Sequence, residues 1–164
     1  PSAPEPASGR WPRAAAGRLI AVNSLEALVQ VALEDFEAGI LDLESLEDAK
    51  LLPMIDARRM EVYCQLFDAQ ARPLSEVEAH VLTAESFAAE RAQGRLVLFG
   101  NGAAKSKTLF TEPGVHYVDV TPSARGLVKP ATEALKIRKF ENVAYFEPFY
   151  LKNFVATSSS KKFF

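Results

Sequence analysis

Apolar and polar positions follow two different periods along this chain, and each change of period predicts an element. Residues 18–22 (RLIAV) form a short β-branched and apolar run that reads as a buried strand. Asn23 follows as a helix cap, and Glu26 three residues on gives a capping-box pattern. Leu25, Leu28, Val29, Ala32, Leu33 and Phe36 recur at the spacing of a helix packed on a sheet, with Gly39 as its stop. Glu34, Asp35 and Glu37 crowd the end of that helix, where the macrodipole disfavours acids. Residues 42–50 are acidic and predict surface. Residues 53–56 lead into 60–68, where Met60, Val62, Cys64 and Leu66 alternate with the two-residue period of a strand. Breaker residues at 69–73 predict a turn. Glu76, Glu78 and His80 then alternate with Val77, Ala79 and Val81, a second strand antiparallel to the first with one wet face.

Thr83 predicts the cap of a helix over 84–93, closed by Gly94. Residues 95–100 read as a compact buried strand, and 102–110 as a short helix after a glycine turn. Residues 115–120 alternate again. Thr121 and Pro122 open a last helix in N-cap and N1 order, with Ala124, Leu127, Val128, Ala131 and Leu135 as its apolar face. Pro130 inside that helix predicts a kink costing about 3 kcal/mol, and Gly126 a further weakening. Helices interleaved with strands predict the α/β class. No internal repeat is evident.

With 164 residues the chain has room for one domain or two small lobes. Hydrophobic residues make up 48% and charged residues 24%, the balance of an ordinary globular protein. A formal net charge of -2 gives no footprint of direct, nonspecific nucleic-acid binding, which would need a clustered basic surface. The lone cysteine, Cys64, excludes an internal disulfide and predicts a small buried hydrophobe. No apolar run approaches the ~20 residues of a membrane span, and the opening lacks a signal peptide's apolar segment, so the expected setting is the cytoplasm. Residues 1–17 are almost wholly Pro, Ala, Ser, Gly and Arg and read as a disordered or non-native leader; 158–164 read as a flexible tail. Between them, residues 140–157 (FENVAYFEPFYLKNFVAT) are dense in aromatics around Pro148. Such a segment either docks on its own domain or covers a partner. The expectation is that 144–154 dock back, with Tyr145, Phe146, Phe149, Tyr150 and Phe154 contributing about 1.5–3 kcal/mol each when buried.

Candidate chemistry is sparse. Gly100, Asn101 and Gly102, between a strand and a helix, can present backbone N–H groups to a phosphate, with Lys105 and Lys107 adding charge. The spacing is not that of a Walker loop, and a tight turn needing left-handed backbone explains the same residues and is the favoured reading. Asp56, Arg58 and Arg59 form the second candidate: adjacent arginines clamp a phosphate or carboxylate, or pair with Asp56 and Glu61 to pin a loop, the reading preferred here. His80 on a polar strand face is expected to be exposed, and neither it nor His116 has a recognisable Ser or Cys partner or a metal spacing. No catalytic residue and no metal site is assigned.

Four segments, LIAVNSLEAL (19–28), IDARRMEVY (55–63), FGNGAAKSK (99–107) and the aromatic stretch at 140–157, together resemble in order and spacing the bacterial TsaB (YeaZ) family, its Bacteroidetes-type members most closely. The resemblance spans 19–157. It implies an actin-like ATPase fold (ASKHA, RNase H-like) of two related lobes, with 18–52 as the end of the first lobe and 53–157 as the second. The family's first lobe carries a Glu-Thr-Ser-like strand and a Gly-Pro-Gly-Ser-Tyr-Thr-Gly loop. Neither occurs here, so that lobe is expected to be missing or altered. The resemblance further implies a non-catalytic subunit that binds and activates TsaD, with the ATPase TsaE joining them, in making threonylcarbamoyladenosine at position 37 of tRNA. ATP then enters at most through the complex, tRNA only indirectly, and the family's homodimer uses mainly first-lobe helices. Two rival classes stand beside it: a fragment of an actin-like kinase or peptidase, and a degenerate α/β interaction module whose aromatic tail docks on another protein.

Overall fold

The computed structural model describes residues 18–151. The expectations for 1–17, 158–164 and Phe154 lie outside those residues. The helix α1 spans Ser24–Glu37, and Asn23 caps it by accepting from the Leu25 N–H at 2.8 Å. Its entry is not a strand: residues 18–22 make a single antiparallel bridge, Leu19 to Glu141. A lone bridge gives the run no sheet to join.

A six-stranded sheet follows, built from β1 (Lys50–Asp56), β2 (Glu61–Cys64), β3 (Phe67–Asp68), β4 (Glu78–Val81), β5 (Leu96–Phe99) and β6 (Val115–Tyr117). The order is β4-β2-β1-β5-β6, with β3 also on β1. β1 pairs antiparallel with β2 and β3 and parallel with β5, which is parallel to β6. The expected strand over 60–68 is thus split into β2 and β3. Pro53 lies at that split: β1 faces β3 at Leu51 and β2 from Met54 onward. A residue without an N–H is tolerated in this central strand because it sits where one ladder ends and the next begins.

The sheet is covered on both faces. Leu51, Val97 and Phe99 pack with Leu28 and Val29 of α1 on one side. Leu52, Met54, Leu96 and Leu98 pack with Val62, Cys64 and Phe110 on the other. Alternate residues of β1 and β5 therefore enter opposite cores, and both strands read as unbroken apolar runs.

The expected helix over 84–93 shortens to α2 (Ala88–Ala92). Residues 83–87 form a turn instead, with Ser86 Oγ accepting from the Thr83 N–H at 2.9 Å and Phe87 left-handed at φ 55°. The helix expected over 102–110 is a 3-10 turn at Ala103–Ser106. The last helix also divides, into a 3-10 turn at Ala124–Leu127 capped by Ser123 and the helix α3 (Val128–Lys136). Pro130 falls in the first turn of α3, where its missing N–H forfeits no intrahelical bond, so the expected kink does not arise. Gly126 is buried against α1. Arg125 beside it reaches Asp35 at 2.6 Å and Glu34 at 3.4 Å, answering the acids at the end of α1.

Cys64 is fully buried, as expected, with Glu78 nearby. Burial foremost, and then the Glu78 carboxylate, push its thiol from 9.0 to about 12. That leaves about a thousandfold less thiolate at neutral pH than a free thiol has, so Cys64 should be inert to thiol reagents until the chain unfolds. A thiol whose pKa is raised by folding favours the native state below pH 9, and the advantage fades as pH climbs from 9 toward 12. Unfolding curves over that range should show the loss, and Cys64→Ala should reduce it. Rapid labelling of native protein at pH 8 would contradict the assignment.

Candidate functional site

Both sequence candidates meet at one end of the sheet, where the hairpin joining β1 to β2 abuts the turn after β5. Asn101 Oδ1 accepts from the Asp56 N–H at 3.0 Å, so the glycine turn caps the end of β1. Lys105 Nζ donates to Asp56 Oδ1 at 2.8 Å and to the Glu61 carbonyl at 2.8 Å. The Arg58 N–H donates to the same Asp56 oxygen at 2.6 Å. The Lys105 hydrogen bond, followed by that of Arg58, holds the Asp56 carboxyl below its ordinary value. Asp56, Arg58, Asn101 and Lys105 are therefore one bonded cluster.

The turn's donors point inward. Gly102 N–H donates to Met54 O at 2.9 Å, and Ala103 N–H to Gly100 O at 3.1 Å. Gly100 is left-handed at φ +91°, and a Cβ there would sit 2.5 Å from Met54 O. At Gly102 a Cβ would sit 3.0 Å from Ile55 C and from Val62 Cγ1. Both glycines let the turn press directly onto β1. Arg58 and Arg59 are exposed at the hairpin tip, both left-handed at φ 73° and 47°. The expected pairing of the arginines with Asp56 is replaced: its carboxylate takes Lys105, and Arg58 reaches it through the backbone.

His80 departs from expectation. It is half-buried and it does have a serine partner: Nε2 lies 2.8 Å from Ser86 Oγ, Nδ1 lies 3.1 Å from Glu78 Oε1, and the ring lies 4.7 Å from that of Phe87. The arrangement has the outline of a nucleophile, base and orienting acid. Ser86 is only 5% exposed and its oxygen already accepts the Thr83 N–H, so the group latches the 83–87 turn to β4 rather than offering a nucleophile. No sequence spacing signalled it, because the contact depends on the tight turn that returns Ser86 to the strand. Beneath it, Arg91 is buried, donates to the carbonyls of Ser86 and Ala84, pairs with Glu112, and lies 4.5 Å over the Phe110 ring.

A shallow cleft of about 260 Å³ opens between the start of α1 and the 3-10 turn, lined by Ser24, Leu28, Ser123 and Leu127 among others. Among the described residues no group of three His, Cys, Asp or Glu side chains is placed to hold a metal ion. Among the same residues no helix is long and apolar enough to cross a membrane.

The aromatic segment contradicts its expectation. Tyr145 is 83% exposed, Phe149 74% and Tyr150 78%, and none of residues 142–150 is buried. The segment makes local turn bonds, with Tyr145 and Phe146 N–H donating to Asn142 O, and joins the body at the Leu19–Glu141 bridge. Residues 142–150 stay exposed after that bridge, so Tyr145, Phe149 and Tyr150 add nothing to the chain's own core.

No family model matches the chain, and no curated protein matches it. Solved structures do. An uncharacterized protein with similarity to peptidase YEAZ from Pseudomonas aeruginosa matches at 21% identity and a TM-score of 0.58. YeaZ from Pseudomonas aeruginosa matches at 20% identity and a TM-score of 0.56. Each comparison covers 82% of this chain and 59% of the other. The fold is YeaZ-like. It is a mixed α/β arrangement with a six-stranded sheet, and the chain spans about three-fifths of the length of these neighbours.

Proposed function

We propose that this chain is a TsaB-like, non-catalytic partner subunit of the machinery that makes threonylcarbamoyladenosine on tRNA, acting on TsaD in the cytoplasm. The observation that supports it most is the YeaZ-like fold. Within that fold, two of the segments that carry the family resemblance, 55–63 and 99–107, bond to each other through Asn101 and Lys105. In this reading those residues shape the lobe and have no ligand of their own. ATP, TsaE and tRNA are met only through the complex. The Bacteroidetes-type relationship belongs to the same proposal.

The test is a pull-down with TsaD and a threonylcarbamoylation assay with TsaD, TsaE and substrate, run with and without this chain. The expected result is capture of TsaD by this chain and a higher threonylcarbamoylation rate in its presence, and no capture would overturn the reading. No ATP turnover by the chain alone is expected. Saturable ATP hydrolysis lost on Lys105→Ala would overturn the non-catalytic reading. A second reading, a generic α/β interaction module, is favoured by one observation, the exposed rings of Tyr145, Phe149 and Tyr150.

A further inference from the structure

The sheet ends at β4, which pairs with β2 and with no other strand among the described residues. Leu82 N–H donates to Met60 O at 2.8 Å, while Glu61 O turns the other way to accept the Ala57 N–H at 3.1 Å. Bonded pairs recur at every second residue of an antiparallel ladder, so the pairs Val62–His80 and Cys64–Glu78 carry the bonds between β2 and β4. Ala79 and Val81 are one residue out of phase, and their N–H and C=O groups point away from β2 at the open edge. The opposite edge of the sheet is less open, because Val115 N–H of β6 donates to Glu112 O at 3.0 Å.

The register also fixes what flanks that edge. Ala79 lies opposite Tyr63, and Tyr63 opposite Ile55, so the three form one row across the sheet. Val77 and Val81 share that face by the two-residue period of the strand. Ile55 and Val77 pack against the core beneath α1, Tyr63 and Ala79 are half-buried, and Val81 is 59% exposed. Glu78 and His80 lie on the other face. Glu78 engages His80 through Oε1 alone, its side chain stays 52% exposed, and Glu76 just before β4 is exposed as well. The four residues of β4 include no lysine or proline, and their pairing runs without a bulge, so the usual guards of an edge strand are missing.

We infer that this edge takes up an extended segment of another protein by strand addition, and that the segment alternates basic with apolar side chains. Its backbone completes the bonds left open at Ala79 and Val81. An added strand continues the pleat, so its apolar side chains fall beside Ala79 and Val81 and its lysines or arginines beside Glu78. Main-chain bonds give such a contact its affinity, and the alternate side chains give its specificity. The inference is independent of the TsaB reading.

The probes are capped heptapeptides in which lysine or glutamate alternates with valine, titrated into the full 164-residue chain and followed by amide exchange. In the free chain the His80 N–H should be protected, and those of Ala79 and Val81 should exchange quickly. The lysine–valine peptide should slow both about tenfold near saturation. It should bind about tenfold more tightly than the glutamate–valine peptide, since opposite charges across strands attract and like charges repel. Ala79→Pro removes an outward N–H and no ladder bond, so it should weaken binding about tenfold with an unchanged circular dichroism spectrum. Glu78→Lys should reverse the preference between the peptides, which tests the site should the proline variant fail to fold. Binding of neither peptide, equal binding of both, or protection that appears away from β4 would overturn the proposal. So would slow exchange of Ala79 and Val81 in the free chain, which would mean that the edge is already paired.

Discussion

Gly126→Ala is expected to destabilise the chain by about 3 kcal/mol, the upper range of a core overpacking change. A Cβ at Gly126 would lie 2.1 Å from the Ala27 carbonyl oxygen and 2.9 Å from its carbon, with Val31 Cγ2 at 2.8 Å. Two of those three atoms are backbone of α1, so no rotamer change relieves the clash and the helix itself must move. Moving it disturbs Leu28 and Val29, which anchor one face of the sheet, and the Arg125–Asp35 pair that ties the same two elements. Helix propensity alone gives the opposite sign, since exchanging glycine for alanine in a helix gains about 1 kcal/mol. Urea unfolding separates the two: the midpoint should fall with an unchanged slope. A midpoint equal to or above that of the parent chain would show that the 3-10 turn does not approach α1 as described.

Gly126 also shows where the sequence was legible and where it was not. Periodicity found α1, the antiparallel pairing of β2 with β4, and the buried β5, because each has one dominant environment that repeats along the element. It did not recognise β1 as a strand, reading 53–56 only as the lead-in to the strand over 60–68. Leu51, Leu52 and Met54 are all buried, on alternating faces, so the two-residue contrast that marks a half-wet strand is absent. Pro130 looked like a breaker because the helix start was placed at Thr121. Once Ser123 caps a 3-10 turn and α3 begins at Val128, the same proline sits where prolines are tolerated. Gly126 looked like a weak helix residue because propensity carries no knowledge of what lies across the interface.

The candidate site divides in the same way. The two loops were visible as unusual local sequences, and the structure brings them together. Their bonding depends on contacts 45 and 49 residues apart, Asp56 to Asn101 and to Lys105, which no local spacing encodes. The His80–Ser86 contact spans six residues and was still hidden, since it needs the 83–86 turn in which Ser86 Oγ accepts the Thr83 N–H. The aromatic segment failed for a different reason. Burial of a ring is inferred from its cost in water, and that cost is met as well by another molecule as by the chain's own core.

Gly100→Ala is the second large effect, again about 3 kcal/mol, or roughly 10 °C in Tm for a domain of this size. Here strain and clash act together. The backbone is left-handed at φ +91°, and the added carbon would meet Met54 O at 2.5 Å and Leu28 Cδ2 at 2.8 Å. Met54 O is also the acceptor of the Gly102 N–H, so pushing it away breaks the bond that seats the turn on β1. Asn101→Ala should cost about 1 kcal/mol by comparison, because it removes one side-chain acceptor from the Asp56 N–H without any clash. This ordering distinguishes the two readings of the glycine turn. A loop kept for phosphate alone would lose ligand binding on Gly100→Ala while the ligand-free protein melted as before. A turn kept for close approach to the central strand loses stability with no ligand present. Unchanged melting of the ligand-free Gly100→Ala protein would therefore return the turn to candidacy as a phosphate site, and a drop near 10 °C would fix its role as the clamp that holds β1 against α1.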